Sequence, residues 1–147
     1  MAIKADVKKA AYSILARREY SQHELRQKLQ LKEFACDDIE DVLAALDKQG
    51  IQSDFRFAES AMRARVNKGY GWAYICAELE QKGLTSDIIS AVYESQPVDW
   101  FNVAEKAYEK RFADPVISDQ KEKQKRIRFL QYRGFDFEQI DAILNLD

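Results

Sequence analysis

The chain has 147 residues, of which 46% are hydrophobic and 33% charged, a balance that excludes a disordered polar chain. Five glycines and two prolines leave few helix breakers, so most of the chain can be helical. A formal net charge of -2 excludes a general attraction to nucleic acid, so any basic surface must be local.

The first predicted unit covers residues 1–50 and contains three helices. Apolar residues recur at helical spacing from Val7 to Ile14 and predict the first helix. Ser21, followed three residues later by Glu24, forms the capping-box pattern that starts a second helix. A third helix begins near residue 36, and Gly50 lies where a glycine commonly ends a helix.

Two further three-helix units are predicted at residues 51–96 and 97–147. Ser53 is the expected N-cap of the helix that opens the second unit. Pro97 is expected in the first turn of the helix that opens the third unit. Ser118 and Asp136 are expected to cap the two helices that complete it.

The three units repeat one another. A shift of 50 residues places Leu29 on Leu79, and a further shift of 51 places Leu79 on Leu130 and Gly83 on Gly134. A period of this length marks repeated supersecondary units, each too small to bury its apolar face well alone. We therefore predict an all-α protein of three tandem three-helix repeats, elongated and able to curve, that binds another macromolecule along its length.

Other features of the sequence argue against export and membrane insertion. Cys36 and Cys76 fit no metal-binding or redox spacing, so we expect reduced, partly buried thiols in a cytoplasmic protein. The opening residues MAIKADVKKA are too charged for a secretory leader. No apolar run approaches the roughly 20 residues of a membrane span.

No catalytic constellation is found, so an enzyme is the least expected class. His23 is the only histidine and is expected to face solvent, and with two unpaired cysteines it makes no metal site. The glycines of KGYG lack the lysine and hydroxyl residue of a phosphate loop. Asp37 and Asp38 lie at a helix start, where carboxylates complement the helix dipole. We expect no cofactor and no small-molecule substrate.

Positive charge is the more informative feature. The stretch KEKQKRIRFLQYR, residues 121–133, carries six basic residues and one acidic residue. On a helix, Lys121, Lys125, Arg128 and Tyr132 share the outer face, a pattern that suits phosphate contact and stacking. A solvated helix face with no partner is the alternative, and the sequence leaves both open.

Further basic clusters occur in the other two units. Together they define a candidate surface for a partner protein or DNA: Arg17, Arg18, Arg26, Lys28, Arg56, Arg63, Arg65, Lys68, Lys121, Lys125, Arg126, Arg128, Tyr132 and Arg133. The alternative is local ion pairing, for example between Arg56 and Asp54 or another nearby carboxylate, which contributes little at an exposed site.

Three segments resemble a known family. ARREYSQHELRQKL (16–29), GIQSDFRFAES (50–60) and RARVNKGYGWAYICAELEQKGL (63–84) resemble the RecX family of bacterial regulatory proteins. The resemblance covers residues 12–93 and extends more loosely to the third repeat. Gln52 and Ser53 depart from the leucine and aspartate usual there, Ile51 from an aromatic, and Trp72 from a proline. All four lie at helix starts, so they bear on local capping.

The resemblance implies a fold and a function. RecX-like proteins are all-α tandem repeats that bind in the deep groove of the RecA filament on single-stranded DNA. They suppress its ATPase, strand-exchange and co-protease activities without being enzymes. Two alternatives remain: a helix-turn-helix protein that binds DNA directly, with steep salt dependence, and a scaffold that involves no DNA.

Overall fold

The computed structural model describes residues 4–146, and within that range the chain forms nine α-helices and no strand. The helices are α1 (Lys4–Leu15), α2 (Gln22–Leu31), α3 (Cys36–Lys48), α4 (Asp54–Asn67), α5 (Trp72–Gln81), α6 (Ser86–Ser95), α7 (Trp100–Arg111), α8 (Gln120–Tyr132) and α9 (Phe137–Leu144). The prediction of an all-α chain is confirmed.

Helix starts follow the predicted repeat. The second and third helices of the first copy begin at Gln22 and Cys36, and those of the second copy at Trp72 and Ser86, each 50 residues later. The last helix begins at Phe137, a further 51 residues after Ser86. The tandem arrangement of three-helix repeats is therefore confirmed.

Most of the predicted caps are present. Ser21 and Glu24 form the capping box, with the Ser21 hydroxyl accepting from the Glu24 N–H at 3.1 Å and the Glu24 carboxylate accepting from the Ser21 N–H at 3.2 Å. The Ser53 hydroxyl accepts from the Arg56 N–H at 3.1 Å. Asp136 forms a second capping box, at the start of α9. These side chains satisfy backbone donors that a helix start leaves unpaired.

Several local predictions were wrong. The N-cap of α8 is Asp119 rather than Ser118, because the Asp119 carboxylate reaches the Glu122 N–H at 2.8 Å. Pro97 precedes the first turn of α7, which begins at Trp100 behind the N-cap Asp99. Cys36 is exposed rather than partly buried, at the first residue of α3.

The described chain divides into two compact units, and each joins parts of neighbouring repeats. The first takes Met1–Ser60 and Leu79–Glu94, and the second takes Ala61–Glu78 and Ser95–Asp147. The repeat boundaries at 1–50, 51–96 and 97–147 stay a prediction. In the first unit the core is built on Val7, Ala11, Tyr20, Leu25, Leu29, Ile39, Val42, Leu43 and Leu46. In the second unit one core cluster contains Ala104, Ala107, Leu130, Phe135, Ile140 and Leu144.

Consecutive repeats pack through the same kind of contact in each unit, a glycine turn against the start of a helix. In the first unit the turn after α5 packs on the start of α2, where a Cβ on Gly83 would lie 2.6 Å from the Cβ of His23. In the second unit the turn after α8 packs on the start of α5, where a Cβ on Gly134 would meet the Tyr74 backbone. His23 is thus half-buried against Gly83 rather than facing solvent.

The equivalent turn of the first repeat has a different residue. Glu33 occupies it with φ 63, close to the φ of 84 and 93 at Gly83 and Gly134. Left-handed backbone is unfavourable for a residue with a Cβ, but not prohibitive. Glu33 is exposed. The fold therefore requires left-handed backbone at all three turns, and glycine specifically at the two turns that pack on a preceding repeat.

The departures at Gln52 and Ser53 are accommodated locally. Gln52 is buried, and its amide donates to the Tyr20 carbonyl at 3.2 Å and to the Asp54 carboxylate at 3.0 Å. The same Asp54 oxygen accepts from the Gln22 N–H at 2.8 Å. Because both N–H groups of the Gln52 amide donate hydrogen bonds, its burial costs little free energy. Together these hydrogen bonds hold the start of α2 against the start of α4.

Candidate functional site

The outer face of α8 is exposed as predicted. Lys121, Lys125 and Arg128 are exposed, and Tyr132 keeps 76% of its surface accessible. Among residues 4–146, none of the three cations has a carboxylate within salt-bridge distance. This face is called the α8 stripe below. It carries three charges that the described chain does not neutralise.

Arg126 lies on the same helix but faces inward. It is 4% exposed and donates to the Tyr108 hydroxyl at 2.7 Å, the Glu122 carboxylate at 3.1 Å and the Val116 carbonyl at 3.3 Å. Its guanidinium lies 4.8 Å from the centroid of the Phe112 ring. The hydrogen bond to Tyr108 is the main cause of its raised pKa. The structure therefore gives Arg126 a role in holding the segment before α8.

Three other candidate arginines form ion pairs within the chain. The Arg26 guanidinium meets Glu40 at 2.7 Å, Arg56 meets Glu19 at 2.8 Å, and Arg65 meets Glu78 at 2.6 Å. The hydrogen bond from Arg26 lowers the pKa of the Glu40 carboxyl. The partner of Arg56 is Glu19, 37 residues away, and not Asp54. These arginines brace neighbouring elements, and their place in a binding surface stays a prediction.

Basic residues surround Tyr20 in the first unit. The Arg18 guanidinium stacks 3.6 Å from the centroid of the Tyr20 ring, and the Lys28 ammonium lies 5.6 Å from it. Arg17 and Lys28 line an open cleft of about 420 Å³, beside Leu31, which is 84% exposed. The structure therefore brings Arg17, Arg18 and Lys28 together around Tyr20, whereas Arg26 pairs with Glu40.

Glu24 ties this region to the second repeat. Its carboxylate is 12% exposed and accepts from Lys82 at 2.9 Å and from Arg18 at 3.4 Å, besides the capping bond from Ser21. Burial raises the pKa of Glu24, but the hydrogen bonds from Lys82, Ser21 and Arg18 outweigh it, so the pKa is lowered overall. A depressed folded pKa means that the ionised carboxylate stabilises the fold.

Glu24→Gln is expected to lower the free energy of unfolding by about 1–2 kcal/mol near neutral pH, since a charge-assisted hydrogen bond is lost. The stabilisation by Glu24 is present above the unfolded pKa of about 4.3 and is lost as the pH falls through the folded pKa. The difference between variant and parent should therefore shrink in acid. Urea unfolding at several pH values measures it. Glu94→Gln, at an exposed carboxylate of the same unit, is the control; an equal pH dependence in both variants would contradict the assignment.

Arg133 caps the end of α4 in the second unit. Its guanidinium donates to the carbonyls of Lys68 at 2.9 Å and Gly69 at 3.3 Å. It also lies 4.6 Å from the centroid of the Tyr70 ring and 4.9 Å from that of Phe129. Cations suit a helix C-terminus, where carbonyls are unpaired.

A cleft of about 530 Å³ opens beside this cap, between the end of α4, α7 and the end of α8. We call it the second-unit cleft. Its basic lining residues are Lys68, Lys106, Lys110, Arg111 and Arg133, and its apolar lining residues are Val66, Val103, Ala107 and Phe129. Lys106, Lys110 and Arg111 are not among the residues predicted from the sequence. Their four-residue spacing, Lys106 to Lys110, was the available signal.

The remaining candidates are dispersed. Arg63 and Lys68 are exposed on and after α4, while only Lys68 lines the second-unit cleft. Within residues 4–146 no cluster of three or more metal-binding side chains is present. No helix in that range is both long and apolar enough to span a bilayer.

Comparison with known families gives three matches along the chain. Models described as the first, second and third three-helix domains of RecX match residues 8–46, 53–92 and 98–144. Together they cover well over half of the chain.

Individual relatives agree with these models. A protein named Regulatory protein RecX from Vibrio vulnificus is 41% identical over 138 residues, covering 94% of this chain and 90% of the relative. A protein of the same name from Chromohalobacter salexigens is 45% identical over 130 residues, covering 88% of this chain and 85% of the relative. The crystal structure of RecX from Lactobacillus salivarius has a TM-score of 0.78 at 20% identity, covering 97% of this chain and 94% of that one. At that identity the structure supports the fold alone.

Proposed function

The chain belongs to the RecX family of regulatory proteins, and we propose that it regulates the RecA recombinase by binding the filament that RecA forms on single-stranded DNA. The regulatory role agrees with the names of the relatives. We infer RecA as the partner from the resemblance to the RecX family.

The observation that carries the proposal is the α8 stripe. Lys121, Lys125 and Arg128 stand exposed in a chain whose net charge is negative, while Arg26, Arg56 and Arg65 are held by carboxylates. Cations that the described fold does not use are available to acidic protein surface or to DNA phosphate. A regulatory protein that contacts a nucleoprotein filament needs such a surface.

The mechanism we favour is bridging. A chain of tandem repeats lies in the filament groove and contacts neighbouring RecA protomers. Binding in that position obstructs the changes that accompany ATP hydrolysis, and it keeps a second DNA strand and co-protease substrates from the groove. The chain itself needs no catalytic residue for this inhibition.

The test is RecA ATP hydrolysis on single-stranded DNA, with this protein titrated from far below the RecA concentration to equality with it. Inhibition well below one protein per RecA supports filament binding and favours end-capping or a spreading effect. Inhibition only near equality supports groove occupation. No inhibition, together with sequence-selective duplex binding in a parallel shift assay, would contradict the proposal and favour the helix-turn-helix alternative.

A further inference from the structure

We propose that the second-unit cleft is a binding site for single-stranded nucleic acid. The inference rests on the proposed function in one respect, which is that the single strand is the one present in the RecA filament. It assigns direct contact with that strand to residues of α4, α7 and α8 that belong to one compact unit.

Charge is the first argument. Five cations line the cleft, and its lining contains no carboxylate among the described residues. Within that part of the chain none of the five has a carboxylate at salt-bridge distance. Arg133 is held by backbone carbonyls, but Lys106 and Lys110 are exposed and available. Unneutralised cations converging on a concavity give a positive potential that selects an anion.

Shape is the second argument. The lining of the cleft is partly apolar, and Val66, Val103 and Phe129 are less exposed than Lys106 and Lys110. A volume of about 530 Å³ is within the range of sites that hold a small organic group. A lining that combines apolar and cationic side chains matches a nucleotide, whose base is largely apolar on its faces and whose phosphate is charged.

Continuity along α8 is the third argument. Phe129 and Arg133 line the cleft, and Lys125 precedes Phe129 by four residues, so it lies next along the same face. Lys121 and Arg128 flank it, and Tyr132 provides an exposed ring. The cleft and the α8 stripe therefore form one basic surface with an aromatic side chain at its edge. A basic track with an exposed aromatic is the common pattern of proteins that bind single strands.

An acidic peptide is the competing occupant, and the structure favours nucleic acid over it. The exposed cations continue past the cleft along α8 from Lys125 to Lys121, so the basic surface is longer than the cleft itself. An extended row of charges fits the regular charge spacing of a phosphodiester chain.

The test is fluorescence anisotropy of a labelled oligothymidylate of roughly 16 nucleotides, the upper end of usual site sizes, with no RecA present. The double variant Lys106→Gln, Lys110→Gln is expected to bind about tenfold more weakly. Its log–log salt slope should be less negative by about 1.4, because each lost phosphate contact on a single strand contributes about 0.7. Circular dichroism checks that this exposed pair does not alter folding.

The matched control is Lys9→Gln, Lys48→Gln, which removes the same charge from exposed positions of the other unit. Equal weakening in both double variants, or no weakening in the cleft variant, would overturn the proposal. Competition by polyglutamate as effective as that by unlabelled oligothymidylate would also overturn it, in favour of an acidic peptide. If the cleft variant still binds normally while the parent protein inhibits RecA ATP hydrolysis, this inference fails and the proposed function stands.

Discussion

Gly134→Ala is expected to lower the free energy of unfolding by about 3 kcal/mol. Part of this loss comes from the backbone, since Gly134 has φ 93 and left-handed backbone costs an alanine about 1–2 kcal/mol. The rest is overpacking, about 1–3 kcal/mol, because the new Cβ would meet the Tyr74 backbone and side chain. Urea unfolding followed by circular dichroism measures the difference.

Gly50→Ala separates the two causes. Gly50 has a comparable φ of 73, but a Cβ there would meet nothing within 4 Å. It should therefore cost only the backbone contribution, about 1–2 kcal/mol. If the two variants lose the same stability, the Gly134 turn does not depend on close packing against α5.

The backbone around Gly134 explains why close packing is expected there. The Gly71 N–H donates to the Arg133 carbonyl at 2.7 Å, and the Ala73 N–H donates to the Gly134 carbonyl at 3.2 Å. The turn after α8 thus supplies acceptors to N–H groups at the start of α5 that would otherwise be unpaired. In the first copy the Ser21 hydroxyl is the acceptor at the start of α2. Gly71, at the equivalent position of the second copy, needs no such side chain because backbone carbonyls accept instead.

The sequence predicted the helices well because their signals are local. Capping at Ser21, Ser53 and Asp136 depends on residues three positions apart, so it can be inferred without tertiary structure. The error at Ser118 has the same origin: Ser118 and Asp119 are both good caps, and only the backbone conformation chooses between them.

The candidate site was less predictable because charge pairing is not local. Arg65 and Glu78 are 13 residues apart, and Arg56 and Glu19 are 37 apart. Arg126 carries the same charge as its neighbours on α8, but its side chain packs between Tyr108 and Phe112, which come from a different helix and its cap. Sequence spacing alone therefore could not separate structural arginines from available ones.

Charge reversal on the α8 stripe is the second large effect expected. Lys125→Glu with Arg128→Glu should raise the concentration needed for half-inhibition of RecA ATP hydrolysis about tenfold, equivalent to about 1.4 kcal/mol of binding. Both side chains are exposed and have no carboxylate partner within the described chain, so stability should change little. The two measurements are the inhibition titration and urea unfolding of the same preparations.

The control for this reversal is Lys9→Glu with Lys48→Glu, which changes the net charge equally on exposed positions of the first unit. A surface effect specific to α8 leaves this control close to the parent protein. Equal loss in both would mean that general repulsion from the filament, rather than the stripe, controls inhibition. Unchanged inhibition by a fully folded α8 variant would remove the stripe from the binding surface. The arginines that form ion pairs would then be changed together with their carboxylate partners, beginning with Arg65 and Glu78. Changing one partner alone would also break an internal ion pair.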